Sequence, residues 1–412
     1  MNPCVTSSSA IPPAIGGVEG IRRVDAASPI ALISAEPHHT YSRPLISYLL
    51  WGKTDEERML YRPRDYYEKM GVTPLLGCTA AKIDPAKQIV RLADGRDVPY
   101  DKLLVATGSR PFVPPMAGLD QVEKKFSFLT LDDAHALAAA LTPLSRVLIV
   151  GAGLIGTKCA EGIRHLCRSL TIVDMAPRIL PAVLDEEAAA LVQRRMEAHG
   201  IAFRLSDSVA RFEKNLAHLQ SGAEIPFDVL VLAVGVRPRT ELVEAAGGKV
   251  ERGIATDACQ RTSLPNVYAA GDCTRSHDIS TGADKILAIL PNAYLQGETA
   301  GRSMAGEDVP FDKAIPMNAG GFFGLHVVSA GDLNGESDIL RQGGSYKRLV
   351  RRDGRLVGFL LVGDVSRAGI YTALIREQTP LSSIDYELIR EKPQLAAFSR
   401  AERAHMLGGV QA

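Results

Sequence analysis

The sequence predicts an α/β fold with two doubly wound parallel sheets, each able to receive a dinucleotide. Three observations predict it. From Ile30 onward, short β-branched runs alternate with helix-period segments, the pattern of parallel sheets covered by helices. The run Gly151-Ala152-Gly153-Leu154-Ile155-Gly156 stands between a strand and a helix. The part of the chain before Arg110 looks like a second copy of that unit.

Composition narrows the function classes. Of 412 residues, 46% are hydrophobic and 23% charged, an ordinary soluble composition that excludes disordered and fibrous chains. Lys+Arg and Asp+Glu both number 47, so no global basic field exists to hold nucleic acid or an anionic membrane. No apolar run approaches the length of a membrane span, and Met1 to Gly20 lacks the charged-then-apolar pattern of a signal peptide. The six cysteines are scattered without C-x-x-C or zinc spacing, which reads as reduced thiols and a cytoplasmic protein.

In the first copy, Gly16 to Val24 reads as a helix and Ile30 to Ser34 as a strand, with Glu36 following it as an acid. Leu103 to Gly108 is a buried strand ending in a small residue and Gly, so its backbone can pass over a nucleotide. In the second copy, Val147 to Val150 is a buried strand. Gly151 makes the tight turn after it, Gly153 admits a pyrophosphate, and Gly156 lets the helix pack close. Cys159, Ala160, Ile163 and Leu166 recur at helical spacing, and that helix's N-terminus offers free N–H groups to phosphate. Leu170 to Val173 is the next strand, ending at Asp174. The spacing from Gly156 to Asp174 is that of a carboxylate accepting from an adenosine ribose. Asp174 favours NAD over NADP, while Arg178 is within reach of a phosphate. Asp228 to Gly235 repeats the strand-then-Gly pattern, and Leu264 to Asp272 is a short strand ending at Gly271-Asp272. Asp272 can accept from flavin ribityl hydroxyls or cap the next helix.

The ordered set GAGLIG (151–156), VATG (105–108), AVGVRP (233–238) and NVYAAGD (266–272) resembles FAD-dependent pyridine nucleotide oxidoreductases over about residues 15–375. The stretch His39 to Ser47 resembles the rubredoxin-reductase and nitrite-reductase flavoprotein branch, and Tyr346 to Gly363 resembles that branch's C-terminal domain. The latter reads as two strands joined at Asp353-Gly354, a favoured hairpin turn. The resemblance implies two Rossmann-like domains plus a C-terminal α+β interface domain. Its boundaries would be FAD 1–112 and 239–312, NAD 113–238, interface 313–380 and a tail at 381–412. It implies FAD contacts at Gly16, Glu36, Arg43, Pro44, Ala80, Ala106, Thr107, Gly108, Gly271, Asp272, Pro291, Ala293 and Phe323. It implies NAD contacts at Gly151, Gly153, Leu154, Ile155, Gly156, Asp174, Arg178, Val234 and Gly235. No catalytic side chain is implied, since hydride passes directly between nicotinamide and flavin.

Several departures stand out. Disulfide- and peroxide-reducing relatives carry a nucleophilic Cys where this chain has Arg43-Pro44. Tyr48 stands where ferredoxin-reductase relatives have Lys, and Lys158 where many relatives have Glu. Residues 4–14 should hold a strand and a Gly loop, yet no glycine precedes Gly16, and Pro12-Pro13 cannot donate N–H groups. A diverged, weakly binding loop is one reading. A reading-frame error is the other: suitable codons for 5–14, read two bases later, encode Asp-Ile-Ile-Val-Gly-Asn-Ser-Ala-Gly. His38-His39 and the run Lys347, Arg348, Arg351, Arg352 read as solvated surface.

The expected function is electron exchange between NAD(H) and an iron–sulfur or rubredoxin-like protein partner. The whole pattern, especially YSRPLISYLL and GLIGTKCAEG, is similar to flavin subunits of tungsten aldehyde oxidoreductase complexes. The alternatives are a free-standing NADH:rubredoxin reductase or NADH oxidase, or a structural subunit without FAD. The partner is expected on the surface formed by Tyr41–Trp51 and the C-terminal domain, with Trp51 as anchor or as core residue.

Overall fold

A computed structural model describes the backbone of residues 3–7 and 12–407. The strands of its two parallel sheets are β1 (Pro3–Ser7), β2 (Ile30–Ser34), β3 (Val72–Leu76), β4 (Lys102–Ala106), β5 (Lys125–Phe126), β6 (Arg146–Val150), β7 (Ser169–Asp174), β8 (Ile201–Leu205), β9 (Val229–Leu232) and β10 (Val267–Ala269). The first sheet runs β10-β4-β1-β2-β3 and the second β8-β7-β6-β9-β5. All neighbours pair in parallel. Connections reverse direction beside β1 in the first sheet and beside β6 in the second. The crevice at the carboxyl ends of such strands is where α/β sheets take ligands. Both sheets belong to one compact unit, residues 1–182, 196–276 and 284–312. Its helices include α1 (Pro12–Val24), α2 (Ile46–Leu50), α3 (Leu131–Ala140), α4 (Leu154–Ile163) and α5 (Leu290–Met304).

The N-terminal segment departs from expectation. Pro3–Ser7 is a central strand, buried at every position, with Pro3 at its head opposite Lys102. Pro is tolerated at the first residue of a strand, and pairing with β2 and β4 on both sides holds what local propensity leaves open. Helix α1 begins at Pro12 rather than Gly16. The expected Gly loop falls at residues 8–11, outside the described residues.

Helices α1 and α5 approach backbone to backbone. A Cβ on Gly16 would overlap the Tyr294 carbonyl, one on Gly20 the Glu298 carbonyl, and one on Gly301 the Gly17 carbonyl. This contact sets α5 against β4 and β10. The two sheets are joined by an antiparallel pair of crossings, Ser109–Pro111 with Val236–Pro238.

The second unit comprises residues 183–195, 277–283 and 313–412. Strands β11 (Met317–Phe322), β12 (Leu325–Gly331), β13 (Glu336–Gln342), β14 (Ser345–Arg352) and β15 (Arg355–Val362) form an antiparallel sheet ordered β11-β12-β15-β14-β13. Asp353 (φ 50°) and Gly354 (φ 69°) form the turn that the Asp-Gly pair foretold. Residues beyond 380 join this core: Ile389, Ala397 and Phe398 pack with Leu349, Phe359 and Tyr371.

The basic run of β14 is not a solvated face. Arg348 pairs with Asp185 at 3.1 Å, Arg351 with Asp338 at 2.9 Å, and Arg352 with Asp332. The Lys347 Nζ donates to the Arg390 and Glu391 carbonyls. Among the described residues, no helix is long and apolar enough to cross a membrane.

The α1–α5 contact generates a stability prediction. Gly301→Ala places a methyl on the Gly17 backbone, where nothing flexible can yield. The expected loss is about 1–3 kcal/mol, read as a lower midpoint in thermal or urea unfolding.

Candidate functional site

The glycine loop of the second sheet shows three separate constraints. Gly151 has φ 114°, and a Cβ there would overlap the Ala233 carbonyl and crowd Val234 N at 3.1 Å. Gly156 faces the Gly151 carbonyl just as tightly. Gly153 is different: no atom lies within 4 Å of where its Cβ would stand, and its φ of −76° suits any residue. Packing therefore demands Gly151 and Gly156 and makes no demand at Gly153. Gly153 caps α4, whose first N–H groups open beside it. Leu154 is exposed and Ile155 half-buried at this mouth. Asp174 closes the other side, its carboxylate accepting from Ala152 N at 2.6 Å and Ala176 N at 2.8 Å. Gly235, with φ 116°, accepts from Phe112 N across the crossing pair. Arg178 is half-buried and reaches the Pro181 carbonyl at 3.4 Å.

At the first sheet, Glu36 lies just beyond β2 with its side chain 9% exposed. One oxygen accepts from the Tyr41 hydroxyl at 2.7 Å and the other from Arg43 Nη2 at 3.2 Å. The Tyr41 hydroxyl also accepts from Leu131 N, the first residue of α3. Sequence reasoning missed this bridge, because nothing local marks Tyr41 as polar-bonded. His38 is not free surface but bonds Asp132 at 2.7 Å, and His39 is half-buried against Tyr67. Two buried polar atoms in this loop, His39 Nε2 and Thr40 Oγ1, have no protein partner.

Beside them, Ala106 ends β4. The Thr107 hydroxyl donates to the Arg239 carbonyl, and the Gly108 carbonyl accepts from Arg239 N. Gly271 (φ 84°) donates its N–H to Gln296 Oε1. Asp272 lies in a recess where desolvation raises its carboxyl pKa, against Ser109 Oγ at 3.5 Å. Pro291 and Ala293 lie in the first turn of α5.

Three further expected flavin positions have these settings. Gly16 lies on the α1–α5 contact, Ala80 opens the strand Ala80–Asp84 and packs on the Cys4–Ile33 core, and Phe323 (φ 48°) is at the β11–β12 turn of the second unit.

An FAD fits the first crevice in its buried carboxylate, its unpartnered polar atoms and its flanking arginines. It fits poorly at α1, where Pro12 and Pro13 carry no N–H for a diphosphate.

Helix α4 meets α2 where Gly162 approaches the Ser47 carbonyl, which lies only 2.6 Å from where a Cβ would stand. One turn earlier, the Lys158 Nζ lies 4.3 Å from the Tyr48 ring centroid and pairs with Glu161, whose side chain is 1% exposed. Tyr48 stacks on Trp51 at 6.3 Å, and the Lys53 Nζ covers Trp51 at 4.9 Å. Trp51 is thus half-buried, neither core nor free.

The geometry agrees with comparisons to known proteins. The pyridine nucleotide-disulphide oxidoreductase model matches residues 15–297, and the rubredoxin NAD+ reductase C-terminal domain matches 316–379. The NADH-dependent phenylglyoxylate dehydrogenase subunit epsilon of Aromatoleum evansii is 31% identical over 90% of this chain and 91% of its own. The assimilatory nitrate reductase electron transfer subunit of Bacillus subtilis is 31% identical over 81% of this chain, which spans 44% of that protein. The crystallised putidaredoxin reductase–putidaredoxin complex shares the fold, with a TM-score of 0.86 at 24% identity over 96% of this chain and 98% of that one.

The separate demands on these glycines and on Lys158 can be measured. Gly153→Ala should keep the parent melting temperature yet weaken NADH binding about ten-fold or more, whereas Gly156→Ala should lower the melting temperature itself. Lys158→Met should cost about 3 kcal/mol by stranding the Glu161 carboxylate, and Lys158→Met/Glu161→Gln should recover most of it in the same urea titration. The glycine loop, the two crevices and the matched segments agree: the chain belongs to the pyridine nucleotide-disulphide oxidoreductase family and is an oxidoreductase of the FAD- and NAD(H)-dependent kind.

Proposed function

We propose that this chain is the NAD(H)-side flavoprotein of a larger oxidoreductase, exchanging electrons with an iron–sulfur or rubredoxin-like centre on another polypeptide. The observation that carries the reading is the pair of parallel-sheet crevices within one compact unit, joined at the α2–α4 contact. In this reading Gly151, Gly153, Leu154, Ile155, Gly156, Asp174, Arg178, Val234 and Gly235 hold NAD(H), with Asp174 disfavouring a 2′-phosphate. Glu36, Arg43, Pro44, Thr107, Gly108, Gly271, Asp272, Pro291 and Ala293 hold FAD. When bound there, FAD would supply two-electron exchange with the nicotinamide and one-electron exchange with the partner. The protein's own part is orientation: the ends of the strands and the start of α5 fix both dinucleotides without a protein acid or base.

The mechanism proposed uses no redox-active cysteine. Arg43-Pro44 stand at the flavin-side position, and burial pushes the Cys4 thiol up to about 12, the Cys273 thiol up to about 11 and the Cys159 thiol upward as well. A buried neutral thiol is a poor nucleophile.

The subunit role draws on the relative whose printed name is a subunit of an NADH-dependent dehydrogenase and whose length this chain matches. A tungsten aldehyde oxidoreductase complex is the specific assembly we propose, with electrons running from aldehyde to NAD in the cytoplasm. The prolines at the head of α1 favour a second reading, a structural subunit that holds no FAD.

The chain purified from its native source should carry FAD and comigrate with an iron–sulfur protein. A lone chain that reduces oxygen as fast as any iron–sulfur acceptor would mark it an NADH oxidase, and a colourless chain in a stable complex would mark the structural subunit. Replacing all six cysteines should leave NADH-driven flavin bleaching intact in a folded, FAD-loaded protein. Loss of bleaching there would restore a thiol mechanism.

A further inference from the structure

We infer that Arg239, together with Arg43, clamps the diphosphate of the bound FAD, supplying what the proline-headed start of α1 lacks. The inference rests on assigning the first crevice to FAD and adds a residue outside the glycine and acid motifs.

Arg239 follows the second crossing, Val236–Pro238, and its backbone is held on both sides. Its N–H donates to the Gly108 carbonyl at 2.9 Å, and its carbonyl accepts from the Thr107 hydroxyl at 2.7 Å. The residue is therefore fixed to the loop that ends β4, at the point where the strand order reverses. Arg239 is exposed, and its guanidinium holds no carboxylate. Nε reaches the Ser109 carbonyl at 3.4 Å, long for an N–H···O bond. Among the described residues no carboxylate lies within ion-pair distance of it.

The surrounding charges explain why. Glu36 is engaged by Arg43 and Tyr41, and Glu241 pairs with Arg110. Asp272 lies against Ser109 and interacts with Arg43. Arg239 stands beside both other arginines, and desolvation together with these like charges lowers its pKa. A solvent-facing guanidinium fixed at this loop without a carboxylate partner is available to an anion, and a phosphate matches its planar fork of donors.

The start of α1 supplies the complementary need. In a Rossmann-type sheet the first N–H groups of the helix after the first strand meet the diphosphate. Here the first two described positions of α1 are Pro12 and Pro13, which have none to offer. Pro13 also packs against Gly271, its Cγ lying 2.8 Å from where a Cβ on that glycine would stand. The charge that positions a diphosphate in this crevice then comes from side chains.

Full-length protein carrying Arg239→Met, and the same protein with Arg239→Lys, would be deflavinated and titrated by fluorescence with FAD and with riboflavin, which shares the ring but has no phosphate. Circular dichroism and melting temperature confirm the fold. Arg239→Met should weaken FAD about ten-fold or more while riboflavin changes less than about two-fold, and Arg239→Lys should recover FAD to within about three-fold. Raising salt should narrow the gap between FAD and riboflavin in the parent and have little effect in Arg239→Met. Unchanged FAD affinity, or parallel loss of FAD and riboflavin, overturns the clamp. So does a loss confined to NADH, which would place Arg239 in the other crevice. A parent protein that binds neither flavin refutes the FAD reading itself, an outcome distinct from failure of the clamp.

Discussion

Close approach of α1 and α5 along their glycines is the constraint on which the first crevice depends. Both helices lean on the same sheet, and α5 reaches β4 and β10 only because Gly16, Gly20 and Gly301 let carbonyl oxygens occupy the space of side chains. A wider spacing would move Pro291 and Ala293 away from Gly271 and Asp272. The second crevice repeats the principle at smaller scale, where Gly151 lies on the Ala233 carbonyl and Gly156 brings the first turn of α4 onto the Gly151 carbonyl. In both, the absence of a Cβ serves backbone proximity, whereas Gly153 and Gly235 keep open space above them.

That difference explains how much of the fold was legible. The 151–156 loop could be read because its spacing encodes the local contact of Gly156 with the Gly151 carbonyl, and the Asp353-Gly354 turn because its φ values are a local matter. Residues 3–14 could not. The strand Pro3–Ser7 is held by β2 and β4, which come far later in the chain, and its own residues carry no trace of them. The reading of β14 as a solvated face failed for the same reason. Arg348 finds its acid, Asp185, in a distant part of the sequence, so local composition shows only the unpaired half of each ion pair.

The candidate site divides along the same line. Glu36, Asp174 and Asp272 were visible because each terminates a strand at a fixed offset. Tyr41 and Arg239 were not, because their roles arise from partners on other elements: Tyr41 from Glu36 and the head of α3, Arg239 from the loop after β4. A net charge of zero likewise hid the crowding of Arg43, Arg110 and Arg239 in one corner of the molecule.

The paired crossings between the sheets also limit how the two nucleotide-binding halves can move. Ser109–Pro111 and Val236–Pro238 run antiparallel, and the bonds Phe112 N to Gly235 O and Arg239 N to Gly108 O continue the ladder at both ends. A single covalent crossing would act as a swivel. A two-stranded ribbon resists torsion and bends about one line, so it is a hinge with one easy axis. In any bending about that line, Thr107, Gly108 and Arg239 would stay nearly still while the far rim of the nucleotide half would travel most. Any such opening would have to part the Gly162–Ser47 contact between α4 and α2 and leave the crossings in place.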